Sequence, residues 1–345
     1  MKKFKLAVVG ATGVVGRAAL NVLEEKNLPI SKYALFASKK SAGSKINFLG
    51  KDYVVKELNE NSFDEGFDFA IFSAGATTAK KYAPIAASHG CIVVDNSSTF
   101  RMDKDVPLVV PEVNPEEIKK NKGIIANPNC STIQAVVPLK PLDDKYKIKR
   151  IVYSTYQAVS GAGRDGIYDL ENGIRNFKES KDINIASSNS YDLKKFPYPI
   201  FNNCLPHIDV FLDNGYTKEE MKMINETRKI LGRPNLPITA TTVRVPVLNS
   251  HSESINVEFE NEFDLKDIKE LLAHSQGITI VDDIEHEKYP IATEATGQDK
   301  VLVGRIRRDF SITNGLNFWC VADNIRKGAA SNAIQIVCKL IDFSK

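Results

Sequence analysis

The chain predicts an α/β protein of two domains, the first built on a doubly wound parallel sheet and the second of α+β character. Three observations carry this. The N-terminus runs from a strand through a glycine turn into a helix; short buried strands then alternate with helices to residue 126; and beyond residue 148 the chain becomes rich in strands. At 345 residues it also exceeds what one hydrophobic core usually organises.

Phe4 to Val9 is an apolar run ending at Gly10, and Val14, Val15, Ala18, Ala19, Val22 and Leu23 follow at helical spacing. Further strands are expected at Tyr33 to Ala37, Phe69 to Phe72, Cys91 to Val94, Leu108 to Val110 and Gly123 to Ala126, with a helix at Thr78 to Ser88. A helix follows from Ile133 to Leu142. This alternation describes a Rossmann-like sheet. Later strands are expected at Ile148 to Thr155, Ile238 to Val247, Ser254 to Phe259, Val301 to Ile306 and Leu316 to Val321, with helices at Tyr216 to Leu231 and Leu265 to His274. The segment Ile325 to Phe343 predicts one long amphipathic helix returning to the first domain. The domains are therefore expected to be 1–129 with 324–345 for nucleotide binding, and 130–323 for catalysis.

Lys plus Arg at 46 against Asp plus Glu at 43 gives a net charge of +3, spread along the chain, which does not indicate nucleic-acid binding. Five cysteines, odd in number and without a CxxC pair, argue against a disulfide framework and a zinc cage, so no metal is expected. A reducing cytoplasm fits this usage. No signal-like leader and no apolar stretch of about 18 residues is present, so neither secretion nor membrane spanning is expected.

Gly10-Ala11-Thr12-Gly13-Val14-Val15-Gly16 is a glycine-rich turn between strand and helix. Its glycines let backbone amides approach a pyrophosphate, and the helix N-terminus favours negative charge. After the second strand, where an NAD site usually carries Asp or Glu, the chain offers Ser38-Lys39-Lys40-Ser41, which suits the 2′-phosphate of NADP. The alternative for the lysine pair is a solvated loop.

In Asn127-Pro128-Asn129-Cys130-Ser131-Thr132, Pro128 stops a buried strand and a helix begins near Cys130. At a helix N-terminus the dipole favours a thiolate, the form in which cysteine is a nucleophile. The alternative is an inert buried cysteine.

The glycine turn, the Asn127–Thr132 segment and Ser154-Thr155-Tyr156-Gln157-Ala158-Val159-Ser160-Gly161-Ala162-Gly163 together resemble the aspartate-semialdehyde dehydrogenases. So do Val94 to Arg101, Val109 to Asn114, Arg244-Val245-Pro246-Val247, Ser250-His251-Ser252-Glu253-Ser254, and Asp323-Asn324 before Lys327-Gly328-Ala329-Ala330. The resemblance runs in order from residue 10 to 330. It implies NADPH-dependent reduction of L-aspartyl-4-phosphate to L-aspartate-4-semialdehyde, with release of phosphate, on the way to lysine, threonine and methionine.

By resemblance, Cys130 is the nucleophile that forms an acyl-thioester, His251 the acid/base and Gln157 the residue that orients the thioester. Arg244 takes the α-carboxylate, Arg101, Asn129 and Lys222 the phosphate, and Glu219 the ammonium. Expected cofactor contacts are Gly10, Thr12, Gly13, Val14 and Val15 at the pyrophosphate, Ser38, Lys40 and Ser41 at the 2′-phosphate, Thr78, and Ser160, Gly161 and Asn324 towards the nicotinamide. Lys40 departs from the Arg of many relatives and lacks its bidentate fork. Arg244 is expected on the apolar face of Val243, Val245 and Val247, where a bound carboxylate offsets the cost of a buried guanidinium. Glu219 and Lys222, three apart, could equally be a surface ion pair. The second domain is expected to pair into a homodimer, with a tetramer as the alternative. Rival activities are N-acetyl-γ-glutamyl-phosphate reduction, malonyl-coenzyme A reduction, and non-catalytic dinucleotide binding.

Overall fold

β1 (Phe4–Val9) buries every side chain except Lys5, which is partly exposed, and sends alternate residues to the two faces of its sheet. Leu6 and Val8 join one core with Leu20, Leu23, Ile334 and Val337, while Ala7 and Val9 join a second with Phe63, Phe72, Ala79 and Ala83. Both faces are thus covered by helices, as a parallel sheet requires. In chain order the elements are α1 (Val14–Lys26), β2 (Ile30–Ala37), β3 (Lys45–Phe48), β4 (Lys51–Val54), β5 (Lys56–Glu57), β6 (Phe69–Phe72), α2 (Ala76–Ser88), β7 (Ile92–Asp95), β8 (Ile124–Ala126) and α3 (Cys130–Tyr146). The strands pair in the order β5-β2-β1-β6-β7-β8, all parallel. Chain direction across the sheet reverses at β1, which creates a crevice at the carboxyl ends of the strands. The computed structural model describes residues 2–180 and 192–344.

From β9 (Ile148–Gln157) onwards come α4 (Arg164–Ser180), α5 (Lys218–Leu231), β10 (Ile238–Arg244), β11 (His251–Phe259), α6 (Leu265–Ala273), β12 (Ile278–Ile280), α7 (Ala292–Ala295), β13 (Val301–Asp309) and β14 (Gly315–Ala322). They build a mixed sheet, β10-β9-β11-β14-β13-β12, with parallel pairs at its two edges and antiparallel pairs between. β11 alternates strictly: His251, Glu253, Ile255, Val257 and Phe259 are buried, and the residues between them are partly exposed. A π-helical turn at Arg326–Ala330 and α8 (Ser331–Phe343) end the chain. The chain divides into two units: residues 1–133, 229–232 and 326–345, and residues 134–228 and 233–325. α8 belongs to the first unit, where Ile334, Ile336, Val337 and Ile341 enter the core that holds Leu6.

Four expectations need correction. Leu108 to Val110 is not a strand, because Pro107 and Pro111 flank it and withhold ladder donors; one bridge from Leu108 to Ala126 remains. The long C-terminal helix is divided, since its first turn widens to a π-turn around the fully buried Lys327. α4 has no counterpart among the expected helices, because Gly166 and Gly173 interrupt its pattern. Arg244 shares its buried face with Ala240 and Thr242, not with Val243, because adjacent residues of a strand point to opposite faces.

The glycine turn is fixed by close backbone approach. Gly10 has φ +84°, and a Cβ there would lie 2.5 Å from the Ser73 carbonyl oxygen; a Cβ on Gly16 would lie 2.1 Å from the Gly10 carbonyl oxygen. Gly16→Ala should therefore cost about 1–3 kcal/mol of stability. Urea titration checks this, and a midpoint equal to the parent's would show that the turn relaxes freely.

Candidate active site

In the first unit a pocket of about 500 Å³ opens at the carboxyl ends of β1, β2 and β6, lined among others by Gly10, Thr12, Gly13, Ser38, Ser73 and Thr78. Gly13 is the N-cap of α1, so the positive end of that helix faces the turn. Of the residues expected at a cofactor, Gly10, Thr12, Gly13, Ser38 and Thr78 line this pocket. Val14 and Val15 form the first turn of α1, and Val15 also packs on the core. Ser41 accepts a hydrogen bond from the Thr12 hydroxyl at 3.4 Å, while Lys40 is exposed on the short 3-10 turn Lys39–Ser41. Leu58, Ser73, Ala74 and Tyr82 also line the pocket. No sequence motif marks them, although a strand end beside β1 is the signal that places Ser73 there. The volume and the helix N-terminus fit a dinucleotide.

Cys130 is the first residue of α3 and is partly exposed. Asn129 precedes it as a cap: its side-chain oxygen accepts from the Ser131 amide at 3.0 Å and the Thr132 amide at 3.4 Å. The buried cysteines, Cys91 and Cys320, are poor nucleophiles. Burial, and then the charge of Asp68, push the Cys91 thiol up to about 12, and burial followed by Glu253 raises Cys320 well above the ordinary value. Arg101, 8% exposed, donates from Nη2 to the Asn96 carbonyl at 2.8 Å.

The second unit gathers the remaining groups at the ends of β9, β10 and β11. His251 is fully buried, and its Nδ1 accepts the Ala158 amide at 3.0 Å. The neutral ring must therefore carry its hydrogen on Nε2, which has no partner among the described residues. Burial, then the Arg244 charge, hold the His251 pKa well below 6.5. Arg244 donates from Nη1 to the Ala158 carbonyl at 2.6 Å and lies 5.9 Å from the centre of the Phe196 ring. One residue, Ala158, thus fixes both side chains through its backbone, a role no side-chain motif reveals.

Gln157 donates to the Thr155 hydroxyl at 3.3 Å and to Glu219 at 3.4 Å. Glu219 also accepts from Lys222 at 3.0 Å, and Lys222 reaches Asp209 at 2.7 Å. This is no surface pair: the side chains of Glu219 and Lys222 are only 6% and 19% exposed. Burial works to lower the Lys222 pKa, but Glu219 and Asp209 outweigh it and hold it above the ordinary value. Ser160 and Asn324 are hydrogen-bonded at 3.0 Å, and the Asn324 oxygen accepts the Ser250 amide at 2.8 Å. That bond supports Ser250 at φ +72°, immediately before His251. Gly161 stands against the same pair of bases, since a Cβ on it would lie 3.0 Å from Arg244 Nη1 and 3.2 Å from His251 Nε2. Glu253, named in the sequence only as part of the Ser250 to Ser254 motif and given no role there, is fully buried on the His251 face, where the alternation of β11 places it. No cluster of metal-binding side chains occurs among the described residues.

A doubly wound sheet with a pocket at its switch point is the architecture of a dinucleotide-binding protein. Two domain families match the chain: the NAD binding domain of semialdehyde dehydrogenases over residues 5–121, and the semialdehyde dehydrogenase dimerisation domain over residues 139–327. A protein of Aquifex aeolicus named aspartate-semialdehyde dehydrogenase is 54% identical over 341 residues, 98% of each chain. Its namesake from Campylobacter jejuni is 51% identical over 345 residues, 99% of this chain and 98% of that protein. The crystal structure of aspartate semialdehyde dehydrogenase II from Vibrio cholerae superposes with a TM-score of 0.91 at 43% identity over 99% of both chains. The chain belongs to the aspartate-semialdehyde dehydrogenase family.

Two outcomes follow from the second unit. Gly161→Ala should lower turnover by up to about 100-fold by displacing Arg244 and His251; steady-state kinetics at unchanged thermal midpoint would show it, and parental turnover would refute it. His251 has a folded pKa below its ordinary 6.5, so the native state binds fewer protons than the unfolded chain. The stability contributed is present above that value and is lost as pH falls below it. His251→Gln should flatten the decline of stability on acidification from pH 6.5, measured by urea unfolding; parallel pH curves for the two proteins would show that another group carries it.

Proposed function

We propose that the protein catalyses the NADPH-dependent reductive dephosphorylation of L-aspartyl-4-phosphate to L-aspartate-4-semialdehyde through a thioester on Cys130. The observation that carries this reading is Cys130 at the start of α3, capped by Asn129, in a chain related along its length to aspartate-semialdehyde dehydrogenases. The product supplies lysine, diaminopimelate, threonine and methionine biosynthesis. Residues 1–129 with 324–345 form the NADP-binding domain and 130–323 the catalytic and dimerisation domain, in a cytoplasmic homodimer.

Cys130 attacks the acyl phosphate as a thiolate, the C–S bond forms, and the C–O bond to phosphate breaks. Bound NADPH supplies the hydride that reduces the thioester. The carbonyl oxygen then gains charge, and the Nε2–H of His251 is the donor suited to it. Collapse of this oxyanion re-forms the carbonyl, breaks the C–S bond and frees the aldehyde and the Cys130 thiolate, with the His251 Nε2–H as the hydrogen-bond donor that steadies the oxygen throughout. Gln157 orients the thioester, Arg244 holds the α-carboxylate with guanidinium geometry, Glu219 pairs with the ammonium, and Arg101, Asn129 and Lys222 hold the phosphate. Gly10, Thr12, Gly13, Val14, Val15, Ser38, Lys40, Ser41 and Thr78 serve the nucleotide, with Ser160, Gly161 and Asn324 on its nicotinamide side. A crystal structure of the Candida albicans enzyme, 28% identical with a TM-score of 0.75, is of that protein with NADP, and one from Vibrio cholerae, 44% identical, is complexed with ASA.

Cys130→Ala should abolish turnover while leaving NADPH affinity within about threefold; residual reductase activity would overturn the covalent route. In the reverse direction, phosphate-dependent NADP reduction should proceed with aspartate semialdehyde and not with N-acetylglutamate semialdehyde, whose blocked amine cannot pair with Glu219. Preference for the acetylated aldehyde would reassign the substrate.

A further inference from the structure

The first sheet ends in one row: Val9 pairs with Phe72, Phe72 with Asp95 and Asp95 with Ala126. The next residue along β6, β7 and β8 is polar: Ser73, Asn96 and Asn127. Their side chains touch in series. Asn127 Nδ2 donates to Asn96 Oδ1 at 2.9 Å, and Asn96 Nδ2 donates to Ser73 Oγ at 3.0 Å on the wall of the dinucleotide pocket. On the other side, Asn332 Nδ2 of α8 donates to Asn127 Oδ1 at 2.7 Å, and Asn332 Oδ1 accepts from Lys327 Nζ at 3.0 Å. Lys327 is fully buried and paired with Glu112 at 2.7 Å.

The direction of these bonds is not arbitrary. An ammonium only donates, so Lys327 turns the oxygen of Asn332 towards itself and its nitrogen towards Asn127. Backbone carbonyls reinforce the same sense, Val109 accepting from Asn332 Nδ2 at 3.0 Å and Phe72 from Asn96 Nδ2 at 3.0 Å, so that donors point one way from the buried ion pair to Ser73. Asn127 is 1% exposed and also donates to the Ala329 carbonyl at 3.2 Å, so both of its amide atoms are committed. It stands three residues before Cys130, separated from it only by Pro128 and Asn129. Asn96 has a second attachment, since its carbonyl accepts from Arg101. A buried ion pair is a costly way to hold a core together, whereas it is well suited to setting the sense of a hydrogen-bond chain.

We propose that Lys327, Asn332, Asn127 and Asn96 form a positioning relay along the carboxyl edge of the sheet, in which the ammonium sets the amide orientations and Asn127 fixes the turn that places Cys130 at the head of α3. Arg101 is held by the same relay through the Asn96 carbonyl. This inference rests on the nucleophilic role proposed for Cys130. Asn332→Asp is the direct test, because it keeps the partner for Lys327 but sets an acceptor against Asn127 Oδ1 and the Val109 carbonyl, so that the Asn127 amide loses the donor that holds it. Iodoacetamide labelling of Cys130, read by mass spectrometry against the exposed Cys204 of the same molecule, needs no substrate. Val337→Ala, a cavity in the same helix remote from the relay, controls for loss of stability. The expected result for Asn332→Asp is a Cys130 to Cys204 labelling ratio changed about tenfold, a matching fall in kcat, KM for NADP within threefold, and no such change in Val337→Ala. A ratio and kcat within threefold of the parent, or an equal change in Val337→Ala, overturns the relay. If Asn332→Asp does not fold, Asn332→Ser, which reaches neither neighbour, is read by the same criteria. A parent without semialdehyde activity would sink the proposed function; an active parent with an unaltered Asn332 variant would sink the relay alone.

Discussion

The parallel register of the first sheet is the constraint on which the nucleotide half depends. It sets Phe36, Val9, Phe72, Asp95 and Ala126 side by side, so that the residues just beyond them, among them Gly10, Ser73, Asn96 and Asn127, share one edge. Gly10 admits the Ser73 backbone because it has no side chain, and Ser73 faces the pocket as a result. The same edge delivers the chain through Asn127 and Pro128 to the start of α3. The pocket and the placement of Cys130 are therefore outcomes of one pairing pattern, not two separately built features.

In the second unit the governing problem is how to bury charge. Arg244, His251, Glu219 and Gln157 are each at most 5% exposed, and groups of this kind are costly unless every polar atom is engaged. Backbone groups of Ala158 take one bond from Arg244 and give one to His251, while Gln157 and Lys222 divide the oxygens of Glu219 between them. The arrangement keeps the imidazole neutral beside a permanent cation and leaves its Nε2–H pointing at no protein group described. Such a donor is held in place by the fold itself, the preorganisation on which electrostatic stabilisation of a developing charge depends.

Much of the fold was legible because its signals are local. Phe69–Phe72 is a strand by apolar composition alone, and Gly10 to Gly16 announces a turn whose glycines meet backbone. Failures came where long-range context outweighs local pattern. The apolar trio Leu108 to Val110 lacks donors beside its prolines, and the two glycines of α4 hide a helix. Arg244 was placed on the wrong face of its strand, an error of one step in a period of two.

The sequence by itself determined the family, the position of Cys130 before an apolar helix and the residue types able to receive an anionic amino acid, since these are encoded in contiguous motifs. Tertiary structure alone decided which tautomer His251 adopts, what partners Lys222 and Glu219 find, and that a lysine near the C-terminus sets a line of amides reaching Ser73. The reason is physical: protonation, tautomer and amide orientation depend on burial and on neighbours far away in the chain, and no periodicity records either.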